Sequence, residues 1–186
     1  MAKFGDDFVS EYYRAKVGAA AEEMNGGIFL NEDVYHAWYL FKVILQRAPK
    51  NKYPIRIICG QLRKDFYESL GPYADDAMKK GCSLDVYVTF RSKEFLREES
   101  NQFAQMLESS ENGNLYCNDE GKDMEFVPHM ILAGEKGEIF RYETDNKEHK
   151  ALVAFGETNY PENFGKSLVN NFNDIVASYW NPVPTS

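Results

Sequence analysis

Hydrophobic residues recur along this chain at two different spacings, and each spacing predicts one kind of secondary structure. Val34, Trp38, Phe41 and Leu45 lie three or four positions apart, which predicts an amphipathic helix that begins at a cap at 32 or 33 and ends at Pro49. The same spacing predicts further helices over 7–24, 65–80, 92–109 and 162–180. Within the helix over 65–80, Gly71-Pro72 predicts a break, because proline interrupts a helix.

The other apolar segments are short and rich in β-branched residues, and they predict strands. The predicted strands cover 27–30, 55–59, 84–89, 115–118, 126–133, 138–143 and 151–155. Early strands alternate with helices, which predicts right-handed crossovers and parallel pairing, whereas the late strands follow one another through a tight turn at 135–137. The sequence therefore predicts an α/β fold with a mixed, mostly parallel central sheet and helices on both faces.

Composition bounds the class of protein further. The 186 residues are 44% apolar and 15% aromatic, which predicts one folded domain over 1–186 and excludes a disordered chain. The longest apolar runs are too short to span a membrane, and we predict no membrane partner. The formal net charge of −8 disfavours direct binding to nucleic acid without excluding a local basic patch.

The cysteines and the first residues predict a cytoplasmic location. Cys59, Cys82 and Cys117 form no C-x-x-C pair and are odd in number, as expected of thiols in a reducing compartment. Residues 1–7 lack the basic-then-apolar layout of a signal peptide.

Few residues suggest catalysis. Of the three histidines, His36, His129 and His149, we take His129 as the candidate catalytic residue, because it follows Pro128 in a predicted strand. The alternative is a hydrogen-bonded structural histidine. No metal-ligand spacing, phosphate-binding loop, dinucleotide fingerprint or serine elbow occurs, so we predict no metal and no cofactor.

Architecture suggests a second candidate site. In open parallel sheets, ligands bind beyond the carboxyl ends of the strands, near helix N-termini. Five cations follow two predicted strands there and form a candidate anion-binding rim: Arg63, Lys64, Arg91, Lys93 and Arg97. The alternative is that they are solvated surface cations. Arg141 and Glu143 lie two apart on one side of a predicted strand, which predicts a structural ion pair.

The second half of the chain resembles the phospholipase D-like superfamily, and more closely its degenerate bacterial members. The resemblance is carried by 128–137, 139–143, 150–155 and 172–180: a histidine strand, an Arg-x-Glu hairpin, a strand ending in Phe and a helix ending in Trp. Catalytic members use a histidine, a lysine two residues later and an aspartate five residues after that. Here only His129 matches, since Ile131 occupies the lysine position and Lys136 the aspartate position.

The resemblance implies a single half of the fold without its full chemistry. We therefore expect a non-catalytic binding or regulatory subunit of a cytoplasmic bacterial assembly, in phage defence or nucleic-acid processing. It would act as a homodimer or in a larger complex through exposed aromatics, namely Tyr12, Tyr13, Tyr35 and Tyr160. Two alternatives stay open: a dimeric phosphodiesterase or nuclease using His129, and a nucleotide- or phosphate-sensing domain.

Overall fold

The computed structural model describes residues 4–24, 28–31, 33–124, 127–145, 150–156 and 163–180. The strands, in chain order, are β1 (Ile28–Asn31), β2 (Ile55–Cys59), β3 (Leu84–Val88), β4 (Gly113–Cys117), β5 (Met130–Ala133), β6 (Ile139–Asp145) and β7 (Lys150–Phe155). The α-helices are α1 (Glu11–Glu23), α2 (Val34–Arg47), α3 (Lys64–Lys79), α4 (Lys93–Glu98), α5 (Gln102–Ser109) and α6 (Phe164–Tyr179).

All seven described strands belong to one sheet, in the order β1-β7-β6-β5-β2-β3-β4. The pairs β2–β3 and β3–β4 are parallel, and the other neighbouring pairs are antiparallel. Each antiparallel neighbour reverses the direction of the chain, so β5 and β7 run opposite to the other five strands. Those five strands therefore all point the same way. The predicted mixed α/β architecture is confirmed, and the antiparallel pairs come from the late run of consecutive strands.

The sheet separates two hydrophobic cores, because successive strand residues point to opposite faces. On β2, Ile57 packs in the core that α1, α2, α3 and α5 cover, whereas Ile58 packs in the core beneath α6. Both faces of the sheet are thus covered by helices, as the buried apolar residues on both faces of β2 and β3 require.

Helix α3 continues through Gly71 and Pro72, so the predicted break is wrong. Proline removes one backbone hydrogen bond, but Gly71 and Pro72 are not buried, so water can satisfy the carbonyl that is left free. Leu70 and Ala74 are fully buried on either side and hold both halves of the helix against the core.

The single helix predicted over 92–109 is instead two helices, α4 and α5. The chain turns at Ser100, whose φ of 52° is left-handed, and Asn101 begins the second helix. The Asn101 side chain accepts a hydrogen bond from the Ala104 N–H at 3.0 Å, which is the bond of an N-cap. It also donates to the carbonyl of Leu62 at 3.0 Å, and the residue is fully buried.

Two further element boundaries differ from the predictions. Helix α1 begins at Glu11 and not at residue 7, because the Ser10 hydroxyl accepts from the Tyr13 N–H and caps it there. Strand β5 begins at Met130, so His129 lies just before the strand and not within it. Pro128 has no N–H to donate to a ladder, which is why pairing starts after it.

Candidate functional site

A pocket of about 310 Å³ opens at the edge of the sheet where β2 and β3 end. Side chains from α2, α3 and the loop after β2 form its mainly apolar walls, and His129, just before β5, and Arg141 and Glu143 of β6 add polar groups to the lining. The lining residues are Val34, Ala37, Phe41, Ile58, Cys59, Gly60, Gln61, Leu62, Arg63, Phe66, Tyr67, Phe90, His129, Arg141 and Glu143. The pocket is therefore at the edge that the sequence predicted for a ligand.

His129 is oriented by Glu143 on the neighbouring strand. Its Nδ1 lies 3.5 Å from Oε2 of Glu143, and its carbonyl accepts from the Glu143 N–H at 3.0 Å. The other ring nitrogen, Nε2, is shielded from solvent and has no hydrogen-bond partner among the described residues. A buried carboxylate behind one imidazole nitrogen fixes the ring, so that Nε2 is the atom left for a ligand or a reaction.

Gly60 lies close to Nε2 of His129, and the Phe90 ring approaches the same side of Gly60. A Cβ added to Gly60 would lie 2.9 Å from Nε2 and 3.2 Å from the Phe90 ring, so only glycine leaves room for the imidazole here. The Phe90 N–H donates to the Gly60 carbonyl at 2.8 Å, which extends the pairing of β2 with β3 and holds Phe90 beside the histidine.

Arg141 and Glu143 form a buried ion pair, with 2% and 6% of their surfaces exposed. Nη1 of Arg141 lies 3.3 Å from Oε2 of Glu143, the same oxygen that His129 approaches, and the guanidinium lies 5.8 Å from the centre of the Phe41 ring. Burial favours the neutral carboxyl, but the hydrogen bond from His129 and the charge of Arg141 outweigh it, so the Glu143 pKa lies below its ordinary value. Burial lowers the Arg141 pKa, yet a guanidinium stays charged at neutral pH.

Ile131 contributes no polar group to the pocket. It is fully buried and lies between Ile57 on β2 and Arg141 on β6 in the strand register. The position where the resemblance expects a lysine thus belongs to the apolar core. The neighbouring cation in the strand register is Arg141 on β6, and Arg141 is already paired with Glu143.

Cys59 and Tyr67 lie in the pocket wall beside the ion pair. Burial raises the pKa of the Cys59 thiol to about 11, although a hydrogen bond with Tyr67 opposes the shift. Burial also raises the pKa of Tyr67 well above its ordinary value. Both groups are neutral at pH 7, so Cys59 is a structural thiol and not an activated nucleophile.

The predicted cationic rim does not converge on this pocket. Arg63 alone among the five lines it, and its Nη2 lies 3.1 Å from Asp65. Lys64 donates to the Glu99 carbonyl at 3.0 Å, and Arg97 pairs with Glu108 at 3.0 Å.

The other two rim residues make local contacts near the start of α4. The Arg91 guanidinium lies 4.1 Å from the centre of the Phe95 ring, and the Lys93 N–H donates to Asp119 at 2.8 Å. These geometries fit the alternative of separate surface cations as well as they fit an anion site.

The remaining candidates lie elsewhere or outside the described residues. His36 on α2 stacks on Tyr13 with ring centroids 3.8 Å apart, away from the pocket lining. His149 and Tyr160 fall outside the described residues. Within the described part of the chain, no group of three or more His, Cys, Asp or Glu side chains is arranged to hold a metal, and no helix is long and apolar enough to cross a membrane.

Sequence reasoning missed several residues that build the site. Asn101 supports Leu62, whose φ of 49° turns the loop into the pocket wall, and Phe41, Phe66 and Tyr67 supply aromatic lining. A local signal existed only for Asn101, since asparagine is among the residues preferred at an N-cap. The helical spacing of apolar residues on both sides of it masked this signal.

No protein-family model matches this chain, and no curated protein matches it. Among solved structures, the fold is similar to polyphosphate kinase from Porphyromonas gingivalis, with a TM-score of 0.57 and 13% identity over 89% of this chain and 28% of the kinase. It is also similar to TrmBL2, an archaeal chromatin protein, with a TM-score of 0.56 and 14% identity over 95% of this chain and 64% of TrmBL2.

These likenesses concern the fold alone. Polyphosphate kinase has a phospholipase D-like fold, so the resemblance drawn from the sequence is supported at that level. The chain spans less than two thirds of the length of either protein.

Proposed function

We propose that this chain is a non-catalytic binding or regulatory domain with a phospholipase D-like fold, which works through protein contacts as a subunit of a larger assembly. The observation that carries the proposal is the surroundings of His129. The histidine is present and oriented, but the cation that catalysis requires is replaced by the buried Ile131.

A phosphoryl group needs positive charge at its oxygens in the transition state. Ile131 supplies none, and the charge of Arg141 is already balanced by Glu143 at 3.3 Å. Loss of one such electrostatic contact costs about 3–4 kcal/mol of transition-state stabilisation, which is roughly a hundredfold to a thousandfold in rate. Nε2 is also shielded from solvent, with Gly60 close beside it, which further reduces its access to a phosphorus atom.

Exposed aromatic side chains support a role in protein contact. Of the three large hydrophobic side chains that are exposed in the described part of the chain, Phe8 (51%) and Tyr12 (79%) lie in one N-terminal segment. Phe8 stacks on Tyr35 of α2 with ring centroids 5.3 Å apart. We call Phe8, Tyr12 and the partly buried Tyr35 the N-terminal aromatic surface, and aromatic residues are enriched at interfaces. Tyr13, which was also predicted to be exposed, is instead partly buried because it stacks on His36.

The two structural neighbours are compatible with a module that works beside other segments. In polyphosphate kinase and TrmBL2, the matching region is only part of a longer chain. One neighbour is named as a kinase and the other as a DNA-binding chromatin protein, so this fold occurs in proteins of different activity. The bacterial assembly itself, in antiviral defence or nucleic-acid processing, is proposed only from the resemblance.

The absence of catalysis is tested by incubating the protein with bis(4-nitrophenyl) phosphate and with oligonucleotides, followed by mass spectrometry for phosphohistidine. We expect no product above a His129→Ala control and no covalent adduct. Release of product that the His129→Ala variant abolishes would contradict the proposal.

The protein-contact part is tested by analytical ultracentrifugation and by purification from cells that naturally make the chain. We expect self-association or one constant partner in the unmodified protein, and loss of either in the Phe8→Ala/Tyr12→Ala variant. Phe90→Ala is the matched control, because it removes the third exposed aromatic residue at a different place. A monomer without a partner would contradict this part.

One geometric feature favours a second candidate function, a dimeric phosphodiesterase or nuclease that uses His129. The distance of 3.5 Å between Nδ1 of His129 and Glu143 suits a histidine that reacts through Nε2. A second copy of the chain would then have to supply the missing cation. The phosphohistidine experiment separates this function from the first one.

A further inference from the structure

We propose that the pocket beside His129 binds an uncharged small molecule with an aromatic or flat apolar body and a hydroxyl group that donates a hydrogen bond to Nε2. This inference rests on the proposed non-catalytic function and names the chemical class of ligand for the same site. It differs from what the resemblance implies, which is a phosphate ester.

The direction of the hydrogen bond follows from Glu143. Its pKa is lowered and it is ionised at neutral pH, so it can only accept hydrogen bonds. The nitrogen that faces it, Nδ1 of His129, must therefore carry the proton. In a neutral imidazole this leaves Nε2 as an acceptor, and Nε2 has no partner among the described residues. A ligand that donates one hydrogen bond would satisfy it.

The charges around the pocket disfavour an anion. Two cations line it, and each has a carboxylate partner: Arg141 pairs with Glu143 at 3.3 Å, and Arg63 pairs with Asp65 at 3.1 Å. A phosphate would have to compete with those carboxylates for the same guanidinium groups. An uncharged ligand leaves both pairs in place.

The walls suit an aromatic body. Phe41, Phe66, Leu62 and Val34 present apolar surface around a volume of about 310 Å³. That volume is at the lower end of the range of about 300–1,000 Å³ for small-molecule sites, so a single ring with a short substituent fits the space.

Phe90 controls access to Nε2. Phe90 is 46% exposed, and its ring lies 3.2 Å from the same Cβ position of Gly60 that lies 2.9 Å from Nε2, so turning this half-exposed ring outward would open space near Nε2. We therefore expect a ligand to enter by displacing the Phe90 ring from the imidazole.

The test is a titration of the full chain, labelled with ¹⁵N, with three matched probes: phenol, toluene and phenyl phosphate. The measured quantity is the Nε2 resonance of His129, which is assigned by its loss in His129→Gln and its retention in His36→Gln. We expect phenol to shift this resonance and to saturate with a Kd of about 1 mM, as suits so small a ligand. Toluene and phenyl phosphate should bind at least tenfold more weakly.

A second variant keeps the test independent of substitutions at the histidine. Phe90→Ala removes a half-exposed ring, and we expect it to tighten phenol binding severalfold and to speed carbethoxylation of His129 by diethyl pyrocarbonate. Unchanged phenol binding and unchanged modification in Phe90→Ala would contradict the gating role of this ring.

The other outcomes are also decisive. Binding of phenyl phosphate in preference to phenol would overturn the inference, as would toluene binding as well as phenol or no binding of any probe. If phenyl phosphate bound without turnover, the non-catalytic function would stand and only the ligand class would be wrong. Formation of phosphohistidine would instead overturn the proposed function.

Discussion

The two faces of the sheet are built from different kinds of side chain, although the same strands supply both. The face beneath α6 is apolar and aromatic, with Ile58, Leu132 and Phe140 packed against Phe172. The face beneath α2 and α3 carries the buried charges of Arg141 and Glu143 within a largely apolar core. Buried charges rarely add stability relative to apolar residues of the same size, so the second face has given up stability that the first retains. The pocket is on the face with the charges, which is where a functional reason for them would be expected.

The largest effect should come from breaking that ion pair. Arg141→Met leaves the Glu143 carboxylate buried without its main counter-charge, and we expect a loss of about 3–5 kcal/mol in the free energy of unfolding. Urea denaturation measures it. The double variant Arg141→Met/Glu143→Gln removes both charges and should recover more than half of the loss. If the loss in the double variant equals the sum of the losses in Arg141→Met and Glu143→Gln, the broken ion pair is not the reason for the instability.

On the opposite face, a cavity in the core beneath α6 should lower the stability without affecting the pocket. Leu168→Ala removes a buried side chain of α6 from the apolar core, and we expect a loss of about 3 kcal/mol in urea denaturation. The pocket is separated from this core by the sheet, so ligand binding at His129 should be unchanged in the folded variant. Additivity with Arg141→Met, within about 0.5 kcal/mol, would show that the two faces are energetically independent.

Removing the side chain that supports the pocket wall should have an intermediate effect on the free energy of unfolding. Asn101→Ala removes the cap of α5 and the hydrogen bond to the Leu62 carbonyl, and we expect a loss of about 2 kcal/mol in the free energy of unfolding. Phenol binding should also weaken, because Leu62 loses its anchor. Asn114→Ala is the matched control, since within the described part of the chain the Asn114 side chain donates to Asp85 at 2.8 Å at an exposed position. Equal losses in the two variants would argue against a role of Asn101 in the pocket.

The sequence predicted the order of the elements because each has its own local periodicity. Strand β2 shows it well, since Ile55–Cys59 was predicted with its observed limits. The break at Gly71-Pro72 was predicted wrongly, because the burial of Leu70 and Ala74 overrides the local preference of proline. Tertiary packing of that kind leaves no mark in a local pattern.

The site was less predictable because it is assembled across distant segments. Alternation placed Arg141 and Glu143 on one side of a strand, but their approach to His129 depends on the register of β5 against β6. Phe41 and Tyr67 reach the same pocket from two helices. No spacing within the chain specifies that they meet, which is why the rim of Arg63 and Arg91 looked the better candidate.

The pH dependence of stability should also distinguish the charged face from the apolar one, with a smaller effect than the substitutions above. The Glu143 pKa is lower in the folded protein than the ordinary value near 4.5, so the folded state favours the carboxylate. The stability that Glu143 provides is therefore complete above its pKa in the unfolded chain and is lost as the pH falls through its pKa in the folded protein. The gap in the free energy of unfolding between the unmodified protein and Glu143→Gln should narrow in the acid range below about pH 5, because a protonated Glu143 is neutral like glutamine. Urea denaturation across that range measures it, and a constant gap would show that Glu143 is not ionised in the folded protein.

The smallest effect should come from an ion pair that neither face buries. Arg97 and Glu108 lie 3.0 Å apart, which is closer than Arg141 and Glu143, but the Arg97 side chain is mostly exposed. Water stabilises either charge when its partner is removed, so we expect Arg97→Met to cost less than about 1 kcal/mol in urea denaturation, with further weakening in high salt. The same substitution at Arg141 is then the comparison, because each variant leaves one carboxylate without its arginine, and that carboxylate is buried at Glu143 and partly exposed at Glu108. A cost at Arg97 as large as that at Arg141 would mean that burial does not set the energy of these pairs, and the contrast between the charged and uncharged faces would lose its physical basis.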